Sequence, residues 1–489
     1  MENITVFKLL KAFSKEELNS IGKYINSPAF NNRKEVYKYY EVIKKYFNDL
    51  KSGKLNQQTL YKNLYPAKTY SEKKSGEELK KLNSFLLQVI NKYLAYSGLQ
   101  ADDFFLKQSL VIKLNEKGLF PLGKKYLNQL DEEYKTVKSD AANFFWKKFQ
   151  IEQDKASGYT YSGEDHLASV ALQKRARFFI HHTILTSSSV YINLFINEQN
   201  FNTDNSISGY YDFFDGLNFE KEILKMEKSK DEYYYITAIY FYQAMSLRYL
   251  NEKKYFDKYK ILLSEYGDRF TYIDRINFYS ILQAICTLKI ESGLKEYEIE
   301  LFIAYNEMLK KDLISINEGG YFMIKLYRNF IQTGVLLQKF DWIRDLIKKY
   351  SNRFPPESKE NMIRFADALI LFEENKFEKS LEKVSLIDYE IFHFKIDLKI
   401  LQLRNFIELN LINESYSIID SLKHFIVNNR FISVRYRDKL KKFLDVILKF
   451  IKLKEKQNKI ELDLLSKEIK NSGDVLYKDW IVKKIKEAK

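Results

Sequence analysis

Between Met226 and Phe431 the hydrophobic and polar positions repeat a pattern five times. An apolar stretch long enough for about four helical turns leads to a polar break, then an aromatic residue, then a shorter amphipathic stretch. The breaks read Leu250-Asn-Glu-Lys-Lys-Tyr255, Gly293-Leu-Lys-Glu-Tyr297, Leu336-Leu-Gln-Lys-Phe340, Glu374-Asn-Lys-Phe377 and Ile412-Asn-Glu-Ser-Tyr416. Measured from aromatic to aromatic, the intervals are 42 residues (255 to 297), 43 (297 to 340), 37 (340 to 377) and 39 (377 to 416). Two-helix repeats run about 34 to 47 residues. The pattern therefore predicts an all-α chain whose segment 226–430 is an α-solenoid of five helical hairpins.

The rest of the chain also reads as helix. Ser14 and Glu17 have the spacing of a capping box, in which hydroxyl and carboxylate each take an amide of the first turn, and Leu18, Ile21 and Ile25 follow on one face. Ser27-Pro28 stops that helix, because the residue before proline is pushed out of the α region. Asn31 or Asn32 is placed to cap the next one, which carries Val36, Tyr40, Ile43 and Phe47. A short helix is expected near 57–64 and a long one over 77–96. These make residues 1–100 an N-terminal helical module. In 101–225 irregular hairpins are expected, broken at Gly118-Leu-Phe-Pro121, with a turn-forming loop at Ser157–Gly163, Asp165 at a helix start and loop over Asn200–Gly216. Residues 431–489 supply basic capping helices for the end of the array.

Two resemblances follow from these residues. Phe13-Ser-Lys-Glu-Glu-Leu18 followed by Ser27-Pro-Ala-Phe-Asn31 resembles the opening of uncharacterised helical proteins from Bacteroidota-type bacteria. It spans mainly the N-terminal module and implies a bacterial cytoplasmic protein, with no activity to carry over. Ala244, Cys286 and Ala366 each stand eleven residues before their aromatic marker, where small side chains let paired helices approach, although Asn329 and Asn405 take that place in the third and fifth copies. The array thus resembles a degenerate tetratricopeptide-type solenoid, at longer period and without that family's full signature.

Composition narrows the function. A chain of 489 residues with only 5 Pro and 16 Gly is poorly suited to an all-β fold with its many turns. The single cysteine excludes an intramolecular disulfide and a CxxC site, and its apolar neighbours predict a buried side chain. No run approaches the 18 or so apolar residues of a membrane span, and the N-terminus lacks the apolar core of a secretory signal. A cytoplasmic protein without a membrane partner is expected. The net charge of +15 is uneven: residues 430–489 hold 18 Lys and Arg against 9 Asp and Glu, so this tail carries +9 of it.

Concentrated chemistry is missing from the sequence. There is no phosphate-binding GxxxxGK[ST] loop, no GxSxG elbow and no HExxH. His181 and His182 are adjacent and point about 100° apart on a helix, which suits packing or surface roles rather than a metal face. No catalytic, cofactor or metal site is expected. Arg328 and Arg404 lie twelve residues before their markers and Arg364 thirteen before its own, so stacked hairpins would align them as a basic ladder fit for an acidic segment of another protein. The expected function is a non-catalytic scaffold or adaptor. The alternative is nucleic-acid association through the tail, where Lys452, Lys454, Lys456 and Lys459 are densest.

Overall fold

The computed structural model describes residues 4–135, 140–200, 209–387, 392–429, 432–472 and 475–489, and among these the regular structure is helical throughout. Two compact units form: Met1–Lys135 with Gln150–Gln173, and Thr136–Phe149 with Lys174–Lys489.

In the first unit, the Ser14–Glu17 capping box closes as the spacing predicts. Glu17 N–H donates to Ser14 Oγ at 3.2 Å and Ser14 N–H to Glu17 Oε2 at 2.7 Å, opening helix Lys15–Asn26, which stops before Ser27-Pro28. Neither Asn31 nor Asn32 caps the next helix. Arg33 holds the cap position before Lys34–Lys45, while Asn31 folds locally, accepting from Arg33 N–H at 3.0 Å and donating to Ile25 O at 2.9 Å. An asparagine that can turn on its own backbone does not need the helix end. Tyr40, fully buried, donates to Leu18 O at 2.5 Å and joins Lys34–Lys45 to Lys15–Asn26. The short helix Gln57–Leu64 lies where expected, whereas the long one runs Glu72–Ala101. Gly118, at φ +74°, ends Asp103–Glu116, and Pro121 stands in the first turn of Phe120–Glu133, as proline can.

Two expected loops differ. Helix Ala141–Tyr161 runs through Ser157 and Gly158, and the chain turns only at Ser162-Gly163. Thr160 and Ser162 hydroxyls each donate to the carbonyl four residues back, at 3.0 Å, which satisfies them along the helix and removes their pull toward a turn. Of Asn200–Gly216, residues 201–208 lie outside the described residues, and Gly209–Gly216 is a helix anchored by buried Phe214 and by Tyr210 Oη donating to Ser187 O at 2.6 Å.

The second unit contains five consecutive helix pairs at the predicted breaks: Tyr234–Arg248 with Lys253–Tyr266, Tyr272–Glu291 with Tyr297–Lys310, Ile324–Leu336 with Phe340–Tyr350, Lys359–Glu373 with Phe377–Ser385, and Phe392–Glu408 with Ile412–Asn428. Partners within each pair pack on one another. Ala244, Cys286 and Ala366 are fully buried, and burial pushes the Cys286 thiol up to about 12. Asn405 is equally buried, its amide donating to Ser380 Oγ at 3.1 Å and Leu401 O at 3.0 Å. In the third pair the close approach falls instead at Gly334, where a Cβ would come within 2.9 Å of Ile343 Cγ1. The expected boundary at Arg430 and Phe431 lies outside the described residues. Beyond it Val434–Glu455, Lys459–Asn471 and Lys478–Glu487 close the chain around a second apolar core that starts at Ile396. Trp480 packs against both cores of this unit.

Candidate interaction surface

The three arginines singled out by spacing sit in different surroundings. Arg328, on helix Ile324–Leu336, grips Asp397 with both ends of its guanidinium, Nη2 reaching Oδ1 at 2.7 Å and Nε bonding Oδ2. Burial opposes its charge, but Asp397 outweighs it and raises the guanidinium pKa further. Arg404, on helix Phe392–Glu408, is 6% exposed and pairs with Glu373 at 3.3 Å, with its pKa lowered by burial. Arg364 is half-buried and donates to Leu386 O at 3.1 Å. Arg328 and Arg404 are thus held by carboxylates of the chain itself, and no open ladder of three guanidiniums is formed by them.

Around Arg404 a charged and aromatic cluster gathers. Its guanidinium carbon lies 4.1 Å from the ring centroid of Phe372, 4.5 Å from Tyr477 and 5.1 Å from Trp480, distances at which a cation is attracted to a ring face. Its Nε has no hydrogen-bond partner among the described residues. One turn further, Glu408 accepts from Trp480 Nε1 at 2.7 Å and Lys484 Nζ at 2.6 Å, groups 72 and 76 positions away. Burial works against the Lys484 charge, and its bonds to Glu408 and Glu487 more than compensate, leaving its pKa raised. Helix Val434–Glu455 also reaches back: its Arg435 and Lys439 meet Glu291 at 2.8 and 3.1 Å. Spacing did not point to Glu373, Glu408 or Trp480. The available signal was an (i, i+4) pair on each side, Arg404 with Glu408 and Trp480 with Lys484, which put each pair on one face of its helix.

The four tail lysines stand where helix Val434–Glu455 turns into Lys459–Asn471. Lys454 donates to Asn410 Oδ1 at 2.8 Å, while Lys452, Lys456 and Lys459 are exposed. Lys452 and Lys454 occupy a last helical turn, where cations complement the carbonyl end of the dipole.

Two further places carry polar groups. His181, fully buried and stacked on Phe145, has Nδ1 2.7 Å from Thr237 Oγ1 and Nε2 3.2 Å from Asp231 Oδ1. Asp231 also accepts from Arg177 Nε at 2.7 Å and Tyr233 N–H at 2.8 Å. Burial alone would raise this carboxyl, yet His181 and Arg177 hold it well below the usual range. The order hydroxyl, imidazole, carboxylate has the form of a nucleophilic triad, but Thr237 and His181 are both closed to solvent, so the cluster fastens helices together. His182 bonds Ala142 O at 3.0 Å, and the side chain of His393 lies outside the described residues. In the first unit a cavity of about 720 Å³ opens between Leu60 and Leu79, with Lys73, Glu77, Lys80 and Asn83 on its wall. No helix among the described residues is long and apolar enough to cross a membrane.

Neither a protein-family model, nor a curated protein, nor a solved structure matches this chain.

Proposed function

We propose that this chain is a non-catalytic scaffold in which five helical hairpins stack as a tetratricopeptide-like solenoid and offer their surface to another protein. The reading rests foremost on one observation: the face around Arg404 and Glu408 already holds a helix, Lys478–Glu487, through an aromatic stack and two hydrogen bonds to one carboxylate. A surface that seats one helix by such contacts has the chemistry to seat another, and helix-in-groove binding is a common mode of recognition. The near-regular intervals of the hairpin breaks support the stacked arrangement, since equivalent faces then form a continuous surface. Arg364, which donates through Nη1 to the Leu386 carbonyl, is the position offered to an acidic partner segment.

A second reading has its own observation. Lys452, Lys456 and Lys459 are exposed at one turn, as a phosphate-binding patch requires. Crosslinking of the full chain in lysate, followed by mass spectrometry with and without nuclease, separates the two. The scaffold reading expects a defined protein crosslinked to residues 226–428 and retained after nuclease. Recovery of nucleic acid alone, crosslinked at 452–459 and lost at high salt, would overturn it.

A further inference from the structure

Helix Lys478–Glu487 has two faces of different character. Ile481 and Ile485 are fully buried in the second core, against the neighbouring helix Lys459–Asn471. That is the apolar cover which the end of a helical array needs. Trp480 and Lys484 do something else. One turn apart, they converge on a single carboxylate, Glu408, whose side chain is 9% exposed, while Trp480 and Tyr477 complete a stack on Arg404 begun by Phe372. Cover alone demands neither the indole N–H nor the ammonium.

The segment is also weakly held by its own backbone. It is ten residues long, below the roughly 12 to 15 at which an isolated helix becomes even marginally stable. It starts from Tyr477 at φ +53°, a left-handed conformation unfavourable for a side chain of this size, and has no side-chain cap. Its helicity therefore depends on docking.

We propose that Phe372, Glu373, Arg404 and Glu408 form a docking site for a partner helix bearing an aromatic residue with a basic residue four positions later, and that the chain's own Trp480–Lys484 turn occupies it until that partner displaces it. This rests on the scaffold reading and names the partner's chemistry. Tryptophan fits best, because phenylalanine would leave Glu408 without its indole donor. An acidic residue at the second position is excluded by Glu408 itself.

The test uses the full chain and a synthetic peptide of residues 475–489. Because the resident helix is tethered, its effective concentration is on the order of millimolar, and the peptide must approach that level. By hydrogen exchange, Lys478–Glu487 is expected to exchange at least tenfold faster than Val434–Glu455, and faster still with the peptide. A peptide with Trp480→Ala and Lys484→Glu should have no such effect. Exchange of both helices at one rate, or no response to the peptide, would overturn the inference. In parallel, the double variant Trp480→Ala/Lys484→Ala of the full chain should bind the labelled peptide at least tenfold tighter than the unsubstituted chain, and adding Glu408→Lys should abolish the gain. Equal binding by all three overturns it; if the double variant does not fold, the exchange result decides. A silent peptide combined with a partner crosslinked elsewhere on the array removes this inference and leaves the scaffold standing. Failure to capture any protein removes the scaffold reading itself.

Discussion

Single side chains in this protein are held by charges taken out of water, and two of them give clear expectations. Asp231 accepts from Arg177 and the Tyr233 amide and lies 3.2 Å from His181 Nε2, so its folded pKa lies below the unfolded value. A depressed carboxyl contributes stability that is fully present above about pH 4 and is lost as pH falls through the folded value. Asp231→Asn should thus cost about 2 kcal/mol at pH 7, and the gap in melting temperature between the two chains should narrow steadily below pH 4. A gap that stays constant down to acid would show that the carboxylate charge is not what matters. Arg404 poses a different question, since a buried ion pair need not be stabilising against an apolar side chain of similar volume. Glu373, its partner, stays one-third exposed and can return to water, so packing among three rings should dominate. Arg404→Met should then cost less than about 1.5 kcal/mol and Arg404→Ala about 2 to 3, read from denaturant midpoints.

At the scale of elements, helix contact distance sets what each pair tolerates. The third pair approaches at Gly334, where a Cβ would meet Ile343 at 2.9 Å and Trp342 at 3.3 Å, and Trp342 is itself fixed by donating Nε1 to Asn306 Oδ1 at 2.9 Å. Gly334→Ala should destabilise by about 1 to 3 kcal/mol despite alanine's better helix propensity, lowering the thermal midpoint. Alanine tolerated without loss would mean the pair can slide apart. Much of this level was legible from the sequence. Hairpin breaks carry polar residues beside aromatics, and the Ser14 capping box is a local interaction, so both can be read from neighbours along the chain. The third pair's close approach was missed because the small residue moved from the expected offset, at Asn329, to Gly334. Ser157–Gly163 misled because hydroxyls that favour turns can equally bond back within a helix. The cluster on Arg404 and Glu408 was illegible for a physical reason: its two halves lie more than seventy residues apart, and only tertiary packing unites them. Arginine spacing found Arg328 and Arg404 as positions worth watching, but said nothing of the carboxylates that pair with them.

For the molecule as a whole, the net charge of +15 invites a nucleic-acid reading, and the disposition of the tail's cations decides how far it goes. Much of the tail's charge is engaged within the chain. Arg435 and Lys439 meet Glu291, Lys449 meets Glu468, Lys484 meets Glu408 and Lys489 meets Asp463. Lys442 donates to Ser472, and Lys478 to the carbonyls of Lys470 and Ser472. The exposed group at the helix turn is Lys452, Lys456 and Lys459. Each phosphate neutralised contributes about −0.9 to the slope of log affinity against log salt on duplex DNA, so three lysines give a slope of roughly −3, far short of a dedicated binder. Replacing all three by glutamate should abolish this weak, salt-sensitive association while leaving helicity and thermal midpoint nearly unchanged, since the three side chains are solvated. Capture of a protein partner on the helix pairs should persist in that variant. A slope much steeper than this in the unsubstituted chain, with protein capture lost alongside it in the variant, would instead make the tail the functional surface, with the helix pairs serving to support it.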